Sequence, residues 1–317
     1  MRVVVTGGAG FIGANLSRVL LDSGSVDEVV VLDDLSTGYR SNLDGLDVTF
    51  VEGSILDPQL LTSVTEGSAA VVHLAARPSV SRSVKDPMAS HVANATGTLN
   101  VLEAARAHDD VQVIVASSSS VYGSNPVLPK HEDLATRPMS PYAASKLAAE
   151  AYTLAYQATY GLQTLAFRFF NVFGPLQAAG HAYAAVIPAF VDAALRGKPL
   201  PIEGDGTQSR DFTYVDTVAA VITDAIVRRT TSTEPVNLAF GTRTTLLELI
   251  GTLETELGRD LSVEHLGNRP GDVPHSQAAN DRLRALFPTV EPVSLEDGIK
   301  RTVAWFRNEA ESGSSSA

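Results

Sequence analysis

The chain has 317 residues, 44% hydrophobic and 19% charged, with a net charge of −12 and a pI near 5.0; that length supports one large domain or two unequal ones. The acidic balance argues against nucleic acid as the main partner, yet leaves room for an anionic small molecule held by a few arginines. The lack of cysteine excludes disulfides and thiolate chemistry and fits a reducing cytoplasm.

No run of eighteen apolar residues and no basic, apolar leader occurs, so neither a membrane span nor export is expected. The seven histidines show no H-x-x-x-H spacing, and no metal site is expected.

From the N-terminus, short β-branched runs alternate with helical stretches. "RVVVTG" (2–7), "EVVVLD" (28–33), "VTFVEG" (48–53), "AAVVHLA" (69–75) and "VQVIVASS" (111–118) read as strands. Their near-continuous apolar character suits a parallel sheet covered on both faces. "ANLSRVLLDSG" (14–24) and "ANATGTLNVLEAARAH" (93–108) read as intervening helices, and "TLAFRFFNVFGP" (164–175) as a sixth strand. These βαβ units predict an α/β fold, a Rossmann-type doubly wound parallel sheet with right-handed crossovers. After residue 175 the sequence turns loop-rich. Residues 1–175 read as the dinucleotide-binding domain, with parts of 205–245 returning to it. Residues 176–310 read as a smaller, discontinuous C-terminal substrate-binding lobe, and 311–317, ending in "SGSSSA", as a disordered tail.

The first turn carries the strongest local signal. Gly7, Gly8, Gly10 and Gly13 satisfy both G-x-x-G-x-x-G and G-x-G-x-x-G between a strand and a helix. There the backbone can approach a pyrophosphate held at the helix N-terminus. Asp33 follows at the end of the second strand, where a carboxylate binds an adenosine ribose hydroxyl. A carboxylate there repels a 2′-phosphate, and Arg40 follows only after a loop with two acids at its mouth, so NAD is expected rather than NADP.

The stretch "SPYAASKLAAE" (140–150) opens a helix with Ser140 as N-cap and Pro141 at the first position. Lys146 then lies one turn from Tyr142 on the same face, near a helix end that disfavours cations. A Tyr-x-x-x-Lys pair arises easily by accident, with the lysine snorkelling to water. It gains a chemical meaning if the ammonium lowers the phenol pKa and lets Tyr142 act as a base.

Taken together, the glycine turn, "HLAA" (73–76), "ASSSSVYG" (116–123) and Tyr142/Lys146 resemble the extended short-chain dehydrogenase/reductase family. Within it the chain is similar to the UDP-sugar 4-epimerases. "RFFNVFGP" (168–175), "AYAAVIP" (182–188), "GDGTQSRDFTYVD" (204–216) and "RPGDVPHSQA" (269–278) resemble the branch handling UDP-N-acetylglucosamine. The resemblance runs from residue 2 to about 307.

It implies Tyr142 as catalytic base, Lys146 as its pKa-lowering partner and nicotinamide-ribose ligand, and Ser118 as the hydroxyl that meets the sugar O4. It implies an NAD site of Gly7, Gly10, Phe11, Ile12 and Gly13, with Asp33, Asp34, Ser36, Thr37 and Gly38 around the adenosine. Ser54, Ile55, Leu74, Ala75, Ala76, Asn94, Ser117, Phe169 and Val172 complete that site with Tyr142 and Lys146. For the UDP-sugar it implies Ser118, Ser119, Ser120, Asn171, Ala185, Val186, Arg210, Arg269, Asp272 and Ser276. Asn171 and the two arginines would grip the diphosphate, and Asp272 the uridine ribose. Ser119 and Ser120 have an equally good structural reading, satisfying the backbone of the turn.

The related 4,6-dehydratases carry an Asp-Glu pair before the Val-Tyr-Gly, and the glucuronate decarboxylases a Glu. Here Ser119 and Ser120 stand there, with no carboxylate for elimination or for proton transfer at C5 or C6. A non-catalytic NAD(H)-sensing relative would commonly lose the Tyr-Lys pair, which is present. The expectation is therefore 4-epimerisation of a UDP-hexose. Ser276, small at the position of a gatekeeper, favours UDP-GlcNAc/UDP-GalNAc, with UDP-glucose/UDP-galactose also accepted. A uronic sugar is the alternative, although "GPLQAAGHAYA" offers no arginine for a C6 carboxylate. A homodimer through a four-helix bundle is expected from the resemblance and from the Ala-rich faces of 93–108 and 141–160.

Overall fold

The computed structural model describes residues 1–179, 184–267 and 274–312. At its centre lie β1 (Arg2–Thr6), β2 (Glu28–Asp33), β3 (Thr49–Glu52), β4 (Ala70–His73), β5 (Gln112–Ser118) and β6 (Thr164–Phe169). With the strand Val236–Leu238 they form one seven-stranded sheet in the order Val236–Leu238, β6, β5, β4, β1, β2, β3. Every pairing in it is parallel. The order reverses between β1 and β4, so a ligand crevice opens at the carboxyl ends of those strands.

Strand periodicity explains the two-faced burial. Val3, Val5, Val29, Val31, Val72 and Ile114 enter one core, shared with Val218 and Ile222 of the helix Val215–Val227. Val4, Val30, Val71, Val113 and Val115 enter the opposite one, under the helices Pro58–Thr65, Gly97–Arg106 and Pro141–Tyr160. Neither face meets water, which is why these strands read as apolar runs rather than as alternations.

Four boundaries differ from the sequence expectation. The first helix starts at Phe11 and ends at Asp22, because the glycine turn leads straight into it. Residues 93–108 divide into a π-helical turn, Val92–Thr96, and the helix Gly97–Arg106. The expected sixth strand breaks at Phe170. Its second part, Asn171–Phe173, leaves the sheet and pairs in parallel with Phe212–Tyr214. Finally, Glu311 and Ser312, expected in the tail, belong to the helix Leu295–Ser312; the remaining tail lies outside the described residues.

A third core, away from the sheet, gathers Phe173, Ile187, Phe190, Leu200, Ile202, Phe212, Leu249, Leu253, Ile299 and Val303. It joins the helices Val186–Leu195, Leu246–Leu257 and Leu295–Ser312 to two two-stranded ribbons, Asn171–Phe173 with Phe212–Tyr214 and Leu200–Glu203 with Val263–Leu266. This lobe stands where Asn171–Phe173 leaves the sheet. Among the described residues, no helix is long and apolar enough to cross a membrane.

Candidate active site

The glycine turn is shaped by backbone contact. Gly7 has φ +70°, and a Cβ there would lie 2.6 Å from the Ala75 nitrogen. A Cβ on Gly13 would lie 2.4 Å from the Gly7 oxygen, so the helix Phe11–Asp22 closes onto the turn only with glycine. A Cβ on Gly10 would meet only the Gly7 oxygen, at 3.2 Å. Gly10 is also the N-cap, and no side chain caps the helix, which leaves the positive helix end for an anion. Asp33 is nearly buried and accepts the Ala9 and Leu35 N–H groups at 2.9 and 2.8 Å. Burial, more than those bonds relieve, pushes its pKa up. The following loop packs over the turn through Tyr39 N–H to the Ala9 carbonyl at 3.0 Å and the Asn42 amide to the same oxygen at 2.8 Å. An uncapped helix start, a glycine cradle and an acid at the end of β2 fit a dinucleotide with a free ribose 2′-hydroxyl. Asp34, Ser36 and Thr37 border this cradle, with the Asp34 carboxylate accepting the Ser36 N–H, and Gly38 abuts Ala9.

The helix Pro141–Tyr160 has the expected N-cap, with the Ser140 hydroxyl accepting the Ala143 N–H at 3.1 Å. Its buried face lies along the carboxyl end of β5. Tyr142 stands near Ser118, whose hydroxyl favours the ionised phenol. Lys146 Nζ donates to the Ala116 carbonyl at 2.8 Å. One turn further, the Glu150 carboxylate accepts the Ser117 hydroxyl at 2.6 Å. Three rungs at i, i+4 and i+8 thus meet three successive residues of one strand.

The phenol pKa is raised, with burial outweighing the Ser118 bond that lowers it. Lys146, buried, is lowered to about 8 by desolvation. The expected lowering of Tyr142 is therefore not met by the chain itself, because the ammonium is turned to the Ala116 carbonyl. Ser118 also caps the next turn, Ser119–Tyr122. Its oxygen lies 2.6 Å from the Ser120 hydroxyl and accepts the Ser120 N–H at 3.2 Å.

Two expected cofactor contacts are turned inward. Ser117 is 2% exposed and spends its hydroxyl on Glu150. Asn94 is 1% exposed; it accepts the Arg77 N–H at 2.7 Å and donates to the Arg77 carbonyl and the Ser145 hydroxyl. Its side chain holds the loop after "HLAA" against the helix of Lys146. Ile55 packs on Gly97, where a Cβ would come within 2.3 Å of it. Leu74 N–H reaches the Thr6 carbonyl, Ala75 N–H the Thr6 hydroxyl.

His73, unassigned by the sequence, completes this frame. Its Nδ1 lies 2.7 Å from the Thr6 hydroxyl and its Nε2 3.0 Å from the Thr98 hydroxyl. Thr98 already donates to the Asn94 carbonyl at 2.6 Å, so Nε2 carries the ring proton and Nδ1 accepts from Thr6. Burial, aided by the Lys146 charge, lowers the pKa to about 3 and keeps the ring neutral. The signal was present in "HLAA", a histidine closing a buried strand.

Over the crevice, Asn171, Ala185, Val186, Arg210 and Phe212 line a cavity of about 530 Å³. Arg210 donates to the Ser209 and Pro274 carbonyls. The Ser276 N–H donates to the Ser209 carbonyl at 3.0 Å, which brings the expected gatekeeper beside Arg210. Phe169 sits in a sheet core, Val172 and Ile12 pack where that core meets the lobe core, and Phe11 packs on the lobe core. Arg269 and Asp272 lie outside the described residues. Sequence reasoning also missed Asp211. Wholly buried, it accepts the Ala278 N–H at 3.0 Å and the Thr242 hydroxyl at 2.9 Å. Desolvation raises it to about 6. Among the described residues no three His, Cys, Asp or Glu side chains gather as metal ligands.

A nucleotide cradle beside a Ser-Tyr-Lys cluster defines an NAD-dependent enzyme of the short-chain dehydrogenase/reductase type. The model of the NAD dependent epimerase/dehydratase family matches residues 3–239, and the chain belongs to that family. It is 38% identical to the UDP-glucose 4-epimerase of Mycolicibacterium smegmatis, across 98% of this chain and 100% of that one. The UDP-N-acetylglucosamine 4-epimerase of Methanobrevibacter ruminantium, solved with UDP-N-acetylmuramic acid, superposes with TM-score 0.91. It shares 36% identity, over 97% of this chain and 98% of that one. The UDP-glucuronic acid 4-epimerase of Bacillus cereus, solved with UDP-glucuronic acid and NAD, gives TM-score 0.86. There the identity is 30%, over 97% and 99% of the two chains.

Proposed function

We propose that the protein is an NAD-dependent UDP-sugar 4-epimerase, with Tyr142 as base, Ser118 as the O4 partner and Lys146 as the nearby cation. One observation carries the reading: the helix of Tyr142 and Lys146 packs on the carboxyl end of β5, with Lys146 on the Ala116 carbonyl and Ser118 two residues on, and with no carboxylate at Ser119 or Ser120 to take the sugar further. NAD⁺, held by Gly7, Gly10, Gly13 and Asp33, would supply a reversible two-electron acceptor for the C4–H bond. Tyr142 takes the O4 proton as the C4 carbonyl forms; the 4-keto sugar then turns over in the pocket, so that hydrogen returns to the opposite face of C4 as Tyr142 gives the proton back and the alcohol is remade inverted. Ser118 holds O4 by hydrogen bonding throughout. Gly7, Gly10, Gly13 and Asp33 hold the dinucleotide. Asn171 and Arg210, which line the 530 Å³ cavity, bind the UDP moiety, joined in this reading by Arg269 and Asp272.

For the sugar, the small Ser276 favours UDP-GlcNAc and UDP-GalNAc, with UDP-glucose and UDP-galactose also turned over. The likeness to the Bacillus cereus enzyme supports UDP-glucuronate as the second reading. The test is product analysis after incubation with UDP-glucose, UDP-GlcNAc and UDP-GlcA separately. The C4 epimer of UDP-GlcNAc is expected. No epimer from any of the three overturns the function, and turnover of UDP-GlcA alone overturns the sugar assignment.

The enzyme acts as a homodimer in this reading. The helices Val80–Lys85 and Pro87–His91 pack beside Pro141–Tyr160, and Val84, Met88 and Tyr152 stand exposed there at 66%, 67% and 42%. A light-scattering mass near 33.5 kDa contradicts it.

A further inference from the structure

The buried ion pair behind the catalytic serine has no part in the scheme above. Glu150 and Arg168 are each 3% exposed. They meet through two parallel hydrogen bonds, Arg168 Nε to Oε2 at 2.9 Å and Nη2 to Oε1 at 2.7 Å. Such a pair adds little net stability, since desolvating two ions offsets their attraction, and apolar side chains of similar volume often serve as well.

Its placement gives a better account. Ser117 and Arg168 are in-register partners on β5 and β6, and the same carboxylate oxygen, Glu150 Oε2, takes the Ser117 hydroxyl at 2.6 Å. Arg168 is braced in turn by the Tyr122 ring, 4.7 Å from its Cζ, and by the Glu132 carbonyl at 3.3 Å. Tyr122 is itself fixed by Asn237 at 2.7 Å. Glu150 therefore ties one strand end and its neighbour to the helix that carries Tyr142 and Lys146.

We propose that Glu150 and Arg168 are positioning residues for the reaction, holding Ser117 so that Ser118 meets Tyr142 at the carboxyl end of β5. The proposal rests on the epimerase reading. Both side chains are buried behind β5, so the role is one of placement. Charge on Glu150 does not act directly on the base, for it is neutralised by Arg168 and lies about two helical turns from Tyr142. The effect travels through the backbone between Ser117 and Ser118.

Two variants test this. Ser117→Ala removes the tie and leaves the ion pair whole. Glu150→Met with Arg168→Met removes both charges together, so no buried ion is left unpaired. In each, the melting temperature should stay near that of the wild type and KM within about threefold, while kcat falls about 10- to 100-fold through misplacement of the reacting groups. A second readout needs no turnover. The phenolate absorbance of Tyr142, isolated by subtracting Tyr142→Phe, should titrate at higher pH in both variants, because the Ser118 bond that favours the charged form is weakened. Lys146, the charged group one turn away, is unchanged in both. A folded Ser117→Ala with unaltered kcat and unaltered titration overturns the proposal. If the double variant does not fold, Ser117→Ala decides alone. If the wild type epimerises no UDP-sugar, the functional reading fails, and the phenol titration still decides the positioning.

Discussion

The carboxyl edge of the sheet and the lobe above it are built by different means. At the sheet edge, Tyr142, Lys146 and Glu150 come from one helix and Ala116 to Ser118 from one strand; Lys146, Glu150, Ala116 and Ser117 are buried, and Tyr142 and Ser118 half-buried. In the lobe, Ser209–Arg210 pairs with Thr244–Thr245, and Leu200–Glu203 with Val263–Leu266. Asp211 there holds Ala278 across 67 residues. Chemistry needs reacting groups held to a fraction of an ångström, and one helix on one strand provides that. Recognition of a nucleotide needs several polar groups spread over a surface, which distant segments can supply. Substitutions at the edge should therefore lower kcat, and those in the lobe should raise KM.

The largest expected effect breaks the edge directly. Tyr142→Phe should reduce kcat by ~10²–10⁴-fold, the usual worth of general acid–base catalysis, with UDP-sugar affinity nearly unchanged. Isothermal titration beside steady-state kinetics separates the two. Retention of a tenth of the wild-type kcat would remove Tyr142 from the role of base.

Gly13→Ala comes next. The added methyl would lie 2.4 Å from the Gly7 oxygen and 2.6 Å from the Gly8 Cα, both backbone, so the turn must open. Protein purified and then denatured should release near-stoichiometric NAD(H) from the wild type and far less from the variant. Recovery of mainly NADP(H) from the wild type would contradict the role given to Asp33.

Much of this was legible before any coordinates. The strands of the sheet are apolar on both faces, and a helix spacing of four places Tyr142 and Lys146 together without tertiary information. The same arithmetic applied once more reaches Glu150, and would have found the third rung. The break at Phe170 was not legible, since Phe169 to Phe173 reads as one β-rich run and the change of partner to Phe212–Tyr214 depends on a segment some forty residues on. Ser117 and Asn94 were expected in the cofactor site from the resemblance; which way each side chain points depends on Glu150 and Ser145, side chains that no local pattern pairs with them.

In the lobe, Asp211→Asn should raise KM for the UDP-sugar about tenfold, the worth of one buried hydrogen bond of ~1.5 kcal/mol, with kcat nearly unchanged. A fall in kcat alone would erase the contrast between the two regions. The same carboxyl carries a pH signature. Its pKa is raised from 3.8 to about 6 in the folded chain, so the native state holds this proton more tightly than the unfolded one. Its contribution to stability is present below about pH 4 and is lost as pH rises toward 6, by on the order of 2–3 kcal/mol. The difference in unfolding free energy between wild type and Asp211→Asn should shrink across that window. A flat difference would show that Asp211 does not titrate there.

The smallest effect is the sharpest probe of the lobe. Ser276 is held beside Arg210 by its own N–H to the Ser209 carbonyl, a backbone bond that a substitution preserves, so a larger side chain changes the space and leaves the anchor intact. Ser276→Tyr should exclude N-acetylated sugars, because the C2 substituent needs the volume a phenol ring would fill. UDP-glucose lacks that group, and its kcat/KM should fall less than about tenfold, within what a modest steric adjustment costs in a pocket. The quantity to compare is the ratio of kcat/KM for the two sugars in wild type and variant, since specificity is a difference of transition-state free energies. A ratio that shifts toward UDP-glucose places the gate at Ser276. Equal losses on both substrates would place it elsewhere. A wild type active on UDP-glucose and inactive on UDP-GlcNAc would sink the N-acetyl preference while leaving the chemistry at the sheet edge untouched.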